Sequence, residues 1–111
     1  MSGATIVCRQ SIRIGNRVLV GANVTITDTD SHAVDRIPRR YLREGVRSAP
    51  VVIGDDVFIG GNSIVLKGST IGDGSVIGAG SVVTGSIPAG VLAAGNPARV
   101  LRQLPREGSQ L

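Results

Sequence analysis

The sequence predicts an all-β fold in which the chain winds into triangular coils of short parallel strands, and three observations carry that prediction. Aliphatic residues recur every six positions through most of the 111 residues. Glycine takes 16 positions and follows the aliphatic residue in four of six consecutive hexads from Ile53. Aromatic residues are limited to Tyr41 and Phe58, so the core must be narrow, aliphatic and bounded by sharp turns.

In chain order, the repeat runs from Cys8 through Ile14, Val20 and Ile26 as CRQSIR, IGNRVL, VGANVT and ITDTDS. In this register Cys8 occupies an inward position and is expected to be a small buried core residue. After an interruption the repeat returns as IGDDVF, IGGNSI, VLKGST, IGDGSV, IGAGSV and VTGSIP, with Ser63, Ser69, Ser75 and Ser81 sharing the fifth position. An amphipathic helix would need a period near 3.6, and these β-branched, glycine-punctuated units are poor helix formers. Six residues suit one short strand and one corner, with Gly, Asn or Asp taking backbone conformations that bulkier residues resist. Three hexads close a coil, and stacking coils about 4.8 Å apart places Ile53 above Ile71 and Ile59 above Ile77. About five coils are expected, two before the interruption and three after it. The tail from Ala98 to Leu111, with Val100, Leu101 and Leu104, is expected to cover the last of them, since exposed coil ends leave strand edges unpaired. The expected organisation is one β-helical domain over 1–104, a loop extruded at 33–52, and a tail at 105–111.

Composition narrows the function classes. The net charge of +4 arises from 12 basic and 8 acidic residues, but no aromatic platform accompanies the arginines and no helix would carry them into a groove. No nucleic-acid partner is therefore expected. The single cysteine excludes an internal disulfide and fits a reducing compartment, the opening four residues lack the regions of a signal peptide, and no apolar run nears the roughly 20 residues of a membrane span. The expectation is a cytoplasmic protein without membrane insertion. The glycine pairs Gly72/Gly74 and Gly78/Gly80 lack the third glycine of a dinucleotide fingerprint and no G-K-[ST] follows, which makes them corner residues rather than phosphate loops.

The interruption holds the only histidine, His32, at the end of the polar run TDTDS. The segment that follows carries Arg36, Arg39, Arg40, Arg43 and Arg47 against Asp35 and Glu44. Long loops on rigid scaffolds often carry function, and a solvated charged loop is the plainer alternative. Asp28, Asp30 and His32 alternate, which would let them face one side of an extended segment as metal ligands. A second use for Asp28 or Asp30 is to accept one imidazole N–H and so fix the tautomer of His32. The sequence does not choose between the two aspartates.

A histidine opening a long loop, then a proline and VVIGDDVFIGG, then IGDGSVIGAGSVVTGSIPAGVLAAGNPARVLRQL resembles the hexapeptide-repeat acyltransferases, in particular the maltose, galactoside and polysaccharide O-acetyltransferases. The likeness runs from about Ile14 to Leu104. It implies a left-handed parallel β-helix, a handedness that nothing in the spacing dictates, because parallel crossovers are right-handed in about 98% of cases. It also implies transfer of an acetyl group from acetyl-CoA, as co-substrate, to a hydroxyl of a sugar or polysaccharide precursor. Carried over residue by residue, His32 matches the general base, and Phe58 stands where the family has a tryptophan beside the acetyl-CoA groove. The N–H of Gly61 matches the donor facing the thioester oxygen. Ala79, Thr84 and Gly85 match positions along the pantetheine arm, and Arg99 and Arg102 match basic residues near the nucleotide phosphates. The resemblance further implies a homotrimer with sites shared between neighbouring chains, and no metal. In relatives, further coils or a helical segment precede the matched region and help bind the acceptor, whereas here only Met1 to about Arg13 do so. The alternative to an enzyme is a structural β-helix, or an inactive acetyltransferase fragment without acceptor recognition.

Overall fold

The computed structural model of the chain describes residues 3–32, 34, 37, 38, 40 and 44–105. Arg36, Arg39, Arg43 and Asp35 of the basic loop, and the tail beyond residue 105, lie outside the described residues. Thirteen strands follow in order: β1 Thr5–Val7, β2 Ile12–Ile14, β3 Leu19–Val20, β4 Thr25–Thr27, β5 Val51–Ile53, β6 Phe58–Ile59, β7 Ile64–Val65, β8 Thr70–Ile71, β9 Val76–Ile77, β10 Val82–Val83, β11 Ser86–Ile87, β12 Val91–Gly95 and β13 Ala98–Gln103. They form the three walls of a prism: β1-β4-β7-β10 in wall one, β2-β5-β8-β11 in wall two, and β3-β6-β9-β12-β13 in wall three. Every pairing is parallel except β12 with β13. The hexads are therefore strand-plus-corner units. Ile53 pairs with Ile71, and Ile59 with Ile77.

The inward ladder is aliphatic throughout, with Ile26, Ile53, Ile59, Val65, Ile71, Ile77 and Val83 buried. Full burial of one such side chain contributes about 1.5–3 kcal/mol, so the ladder is the main source of cohesion. The fifth-position serines are also buried, and each hydroxyl donates to a carbonyl of a neighbouring coil or corner, as Ser69 Oγ does to Val83 O at 3.1 Å. Small hydroxyls fit inside corners and keep the buried carbonyls paired.

Glycine serves two separate purposes at these corners. In the second hexad position it permits close stacking: a Cβ on Gly60 would lie 2.5 Å from Ala79 N. The fourth position instead needs a left-handed backbone, met by Asp56 and Asn62 at φ 58° and 61° and by Gly74 and Gly80 at φ 72°. Asn and Asp tolerate that region better than most side chains.

Four expectations are adjusted. The twelve strands that pair in parallel make four turns, three strands to each, rather than about five. Cys8 is exposed, not buried. The inward residue of β1 is Ile6, opposite Ile26, and eight positions rather than six separate it from Ile14. Two additional residues in that corner move Cys8 off the ladder. Finally, the described part of the tail, Ala98 to Pro105, covers the last coil along one wall only: β13 pairs with the edge of β12, and Val100 and Leu101 stay 46% and 61% exposed. The extruded segment also rejoins the wall at Val51, two residues before the predicted boundary.

Candidate active site

The prism has three edges, and the predicted site residues divide between two of them. The edge between walls one and two, the loop edge, is where the chain leaves after β4 and returns before β5. Its stem is a short antiparallel ladder: Ala49 N–H donates to Asp28 O at 2.9 Å, Asp30 N–H donates to Arg47 O at 3.0 Å, and Thr29 bridges Ser48. Thr27 and Thr29 hydroxyls brace the turn, with Ser31 N–H donating to Thr29 Oγ1 at 3.1 Å. His32 follows immediately and is exposed. Thr84 and Gly85, also exposed, lie on the same edge two coils on, where the step from Val83 to Ile87 shortens to four residues.

Asp28 is not placed as the imidazole-orienting expectation requires. Asp28 is fully buried, and its carboxylate accepts backbone N–H groups from Arg9, Gln10 and Ser11, each at 2.7 Å, with Cys8 Sγ at 3.7 Å. A carboxylate offers about four acceptor positions, and the β1–β2 corner fills them. Burial pushes the Asp28 carboxyl up, but the three N–H donors outweigh it and hold the group below its ordinary range. Asp30 Oδ1 pairs with Lys67 Nζ at 2.8 Å. The alternation of Asp28, Asp30 and His32 therefore gives no shared ligand set, and among the described residues no group of three or more His, Cys, Asp or Glu could hold a metal ion.

The second cluster occupies wall three and the edge between walls three and one. Cross-strand partners share a face, so the pairings Leu19–Phe58–Val76–Leu92–Arg102 form one outward row. At about 4.8 Å per strand, Arg102 stands some 14 Å from Phe58. Phe58 is 43% exposed, an apolar platform whose inward neighbour Ile59 anchors the strand. Arg99 lies opposite Ala94, and a register shift between Leu92 and Ala93 leaves Leu101 as a bulge. That extra residue brings Arg99 and Arg102, three apart in sequence, to the same outward face.

At the edge beside Phe58, the third hexad positions are Ala22, Gly61 and Ala79. Their carbonyls are used, Gly61 O accepting Gly80 N–H at 2.9 Å and Ala22 O accepting Asn62 N–H at 2.9 Å. Among the described residues no acceptor takes the Gly61 N–H. This is the open edge. An outward N–H beside an aromatic platform, with two guanidinium groups farther along the row, fits an acyl thioester carried on a phosphorylated nucleotide.

Sequence reasoning named Phe58 and the arginines but missed Leu19, Val76 and Leu92 between and beyond them. Their signal was available, since each immediately precedes an inward residue. Thr84 and Gly85, given with Ala79 as positions along the pantetheine arm, lie on the loop edge, and Ala79 lies on the open edge. An open hollow of about 710 Å³ lies elsewhere, lined by Arg17, Asp56, Asp73, Gly74 and Pro105, and includes none of the predicted site residues.

Comparison with known proteins identifies the family. Residues 50–85 match the family described as bacterial transferase hexapeptide (six repeats), and residues 2–28 match the hexapeptide repeat of succinyl-transferase. The galactoside O-acetyltransferase of Escherichia coli strain K12 is 45% identical over 100 residues, covering 90% of this chain and 48% of the relative. A galactoside acetyltransferase solved in complex with coenzyme A superposes with a TM-score of 0.81 at 45% identity, covering 92% of this chain and 50% of that one. A hexapeptide-repeat acetyltransferase from Vibrio cholerae O1 biovar eltor, complexed with acetyl-CoA, superposes with a TM-score of 0.74 at 32% identity, covering 95% of this chain and 73% of that one. The chain spans about half the length of the galactoside relatives it matches. It belongs to the hexapeptide-repeat acetyltransferase family, and the family's left-handed parallel β-helix is its fold.

Proposed function

We propose that the chain forms the catalytic scaffold of an acetyl-CoA-dependent O-acetyltransferase whose acceptor is a hydroxyl of a sugar or polysaccharide precursor, with His32 as general base. The carrying observation is the division of the site: the histidine stands on the loop edge, while the unpaired Gly61 N–H, Phe58 and the two arginines stand on the open edge and wall three. One wall of six residues per side, at most roughly 20 Å, separates the edges. A homotrimer of prisms removes that separation by setting the loop edge of one chain against the open edge of the next. A slender prism also gains stability by burying its flat walls.

In such a site acetyl-CoA supplies the acetyl group as a thioester. The His32 imidazole takes the proton of the acceptor hydroxyl as the oxygen attacks, and then returns it to the departing thiolate. The Gly61 N–H donates to the acyl oxygen as negative charge develops there, a contribution of about 3 kcal/mol where single donors have been removed from other enzymes. Phe58, Val76 and Leu92 give an apolar bed, and Arg99 and Arg102 pair with phosphate. The galactoside relatives, at 45% identity, support a saccharide acceptor.

The test is calorimetric titration with acetyl-CoA of the chain and of its His32→Ala variant, followed by turnover with a saccharide acceptor. Both proteins should bind saturably, and the variant should turn over at least about 10²-fold more slowly. A scaffold without catalytic function would show no saturable binding, and equal turnover of the two proteins would remove His32 as the base.

A further inference from the structure

We infer that Lys67 is a positioning residue for the acceptor-activating histidine: through its ion pair with Asp30 it clamps the stem of the extruded loop onto the next coil and so fixes where His32 stands. The inference rests on the reading of His32 as the base. It starts from a departure in the repeat. In VLKGST, Leu66 occupies the position that glycine takes in the four hexads IGDDVF, IGGNSI, IGDGSV and IGAGSV, and Lys67 follows it. The corner one coil further along on the same edge, at Thr84 and Gly85, is two residues shorter than the regular one, which leaves room for Leu66 where other corners demand glycine. Lys67 is thus carried on a rigid corner, one coil beyond the stem.

Two bonds join that corner to the stem. Lys67 Nζ reaches Asp30 Oδ1 at 2.8 Å, and Gly68 N–H donates to Ala49 O at 3.2 Å. They hold opposite strands of the stem ladder, since Asp30 lies on the outgoing strand and Ala49 on the returning one. The ion pair is also better shielded than the other described one. Its side chains are 34% and 19% exposed, against 67% and 54% for Arg17 and Asp56, so solvent and salt weaken it less. His32 is two positions after Asp30, which limits their Cα separation to roughly 7 Å. A shift of the stem by about 1 Å therefore reaches the imidazole nearly undiminished, and displacement on that scale can cost up to about 10²-fold in rate.

Lys67→Met should lower kcat by about tenfold and leave the acetyl-CoA Kd within about twofold, because Phe58, Gly61, Arg99 and Arg102 lie on another edge and wall. Hydrogen exchange gives a readout independent of turnover: the Asp30 and Ala49 amides, both bonded within the stem, should exchange several-fold faster while core amides of β9 do not change. Lys67→Arg, which keeps the charge, should recover most of kcat. In a His32→Ala background Lys67→Met should cost nothing further, since its effect passes through the histidine. Unchanged kcat and stem exchange in Lys67→Met would overturn the clamp, as would a second tenfold loss on top of His32→Ala. If His32→Ala alone keeps full turnover, the base assignment fails and takes the positioning role with it. If His32→Ala is inactive while Lys67→Met matches the parent in both readouts, the clamp alone fails.

Discussion

Two edges of the prism make the same turn and finish it differently. At the edge between walls two and three, Asn16 N–H donates to Asp55 Oδ1 and Asp55 N–H donates to Asp73 Oδ1, each at 2.7 Å. The glycines at 15 and 54 make this possible, because a Cβ on either would overlap the incoming carboxylate of Asp55 or Asp73. At the open edge the same glycines recur at 21 and 60, and the same carbonyl bonds run from coil to coil, but the third residue is Ala22, Gly61 or Ala79. One edge satisfies the N–H groups of Asn16 and Asp55 with its own side chains, and the other presents its third-position N–H groups outward. The scaffold requires the turn but not the cap. Where the cap is absent, a donor becomes available to a ligand at no cost in packing.

The sharpest way to break the comparison is to move the cap. Ala79→Asp places a carboxylate beneath the Gly61 N–H as Asp73 lies beneath Asp55 N–H, and Gly60 leaves the same room that Gly54 does. Loss of one preorganised oxyanion donor costs about 10²–10³-fold in kcat, and the added negative charge should carry the effect to the upper end of that range. Stability should hold or rise slightly, since a solvent-facing donor gains a partner worth about 1 kcal/mol. Steady-state kinetics and urea unfolding on the same preparation would separate the two effects. Turnover within twofold of the parent would show that the open edge has no part in the chemistry.

The histidine edge differs from both, because its capping carboxylate is buried and local to the first corner. Replacing Asp28 by Ala removes the acceptor of three part-buried N–H groups and should cost about 3 kcal/mol of unfolding free energy. The pH dependence has a definite sign. The folded-state carboxyl is held below its ordinary 3.8 by the N–H donors of Arg9, Gln10 and Ser11 against the opposing effect of burial. Its contribution is therefore complete at neutral pH, declines as pH falls below about 3.8, and is gone below the folded-state value. In urea titrations from pH 7 to pH 2, the gap between the parent and Asp28→Asn should narrow only at the acidic end. A constant gap would mean that Asp28 acts through packing rather than charge.

The extent to which the sequence reveals this molecule follows the range of each interaction. A period of six exposes the inward ladder because every rung is decided locally, so Ile53 through Val83 could be assigned without coordinates. Cys8 could not, since two extra residues before Ile14 look like the same period begun from a different residue. The role of Asp28 depends on N–H groups 17 to 19 positions earlier, and backbone donors carry no side-chain signature. Phe58, Gly61, Ala79, Arg99 and Arg102, which the resemblance named, lie on wall three and the open edge. The resemblance did not reveal the bulge at Leu101 that turns both arginines outward, because a register shift leaves the hydrophobic pattern unchanged. Lys67 was visible only as an exception to the repeat, and needed the third dimension to acquire a partner.

The smallest effect tests the other half of the edge comparison. Asp55→Ala gives the capped edge the character of the open one, leaving Asn16 N–H to water while Asp55's own amide still donates to Asp73. Asn16 and the adjacent Arg17 are exposed, so the freed donor is not stranded in the interior and only the net value of one charge-assisted bond is lost, about 1 kcal/mol. Urea midpoints should fall by that amount with the unfolding slope unchanged. Acetyl-CoA binding should stay within twofold, because no residue of wall three or the open edge is touched. If acetyl-CoA affinity instead falls with stability, the two edges are mechanically coupled through the coil, and the open edge owes its geometry to the capped one rather than to its own residues.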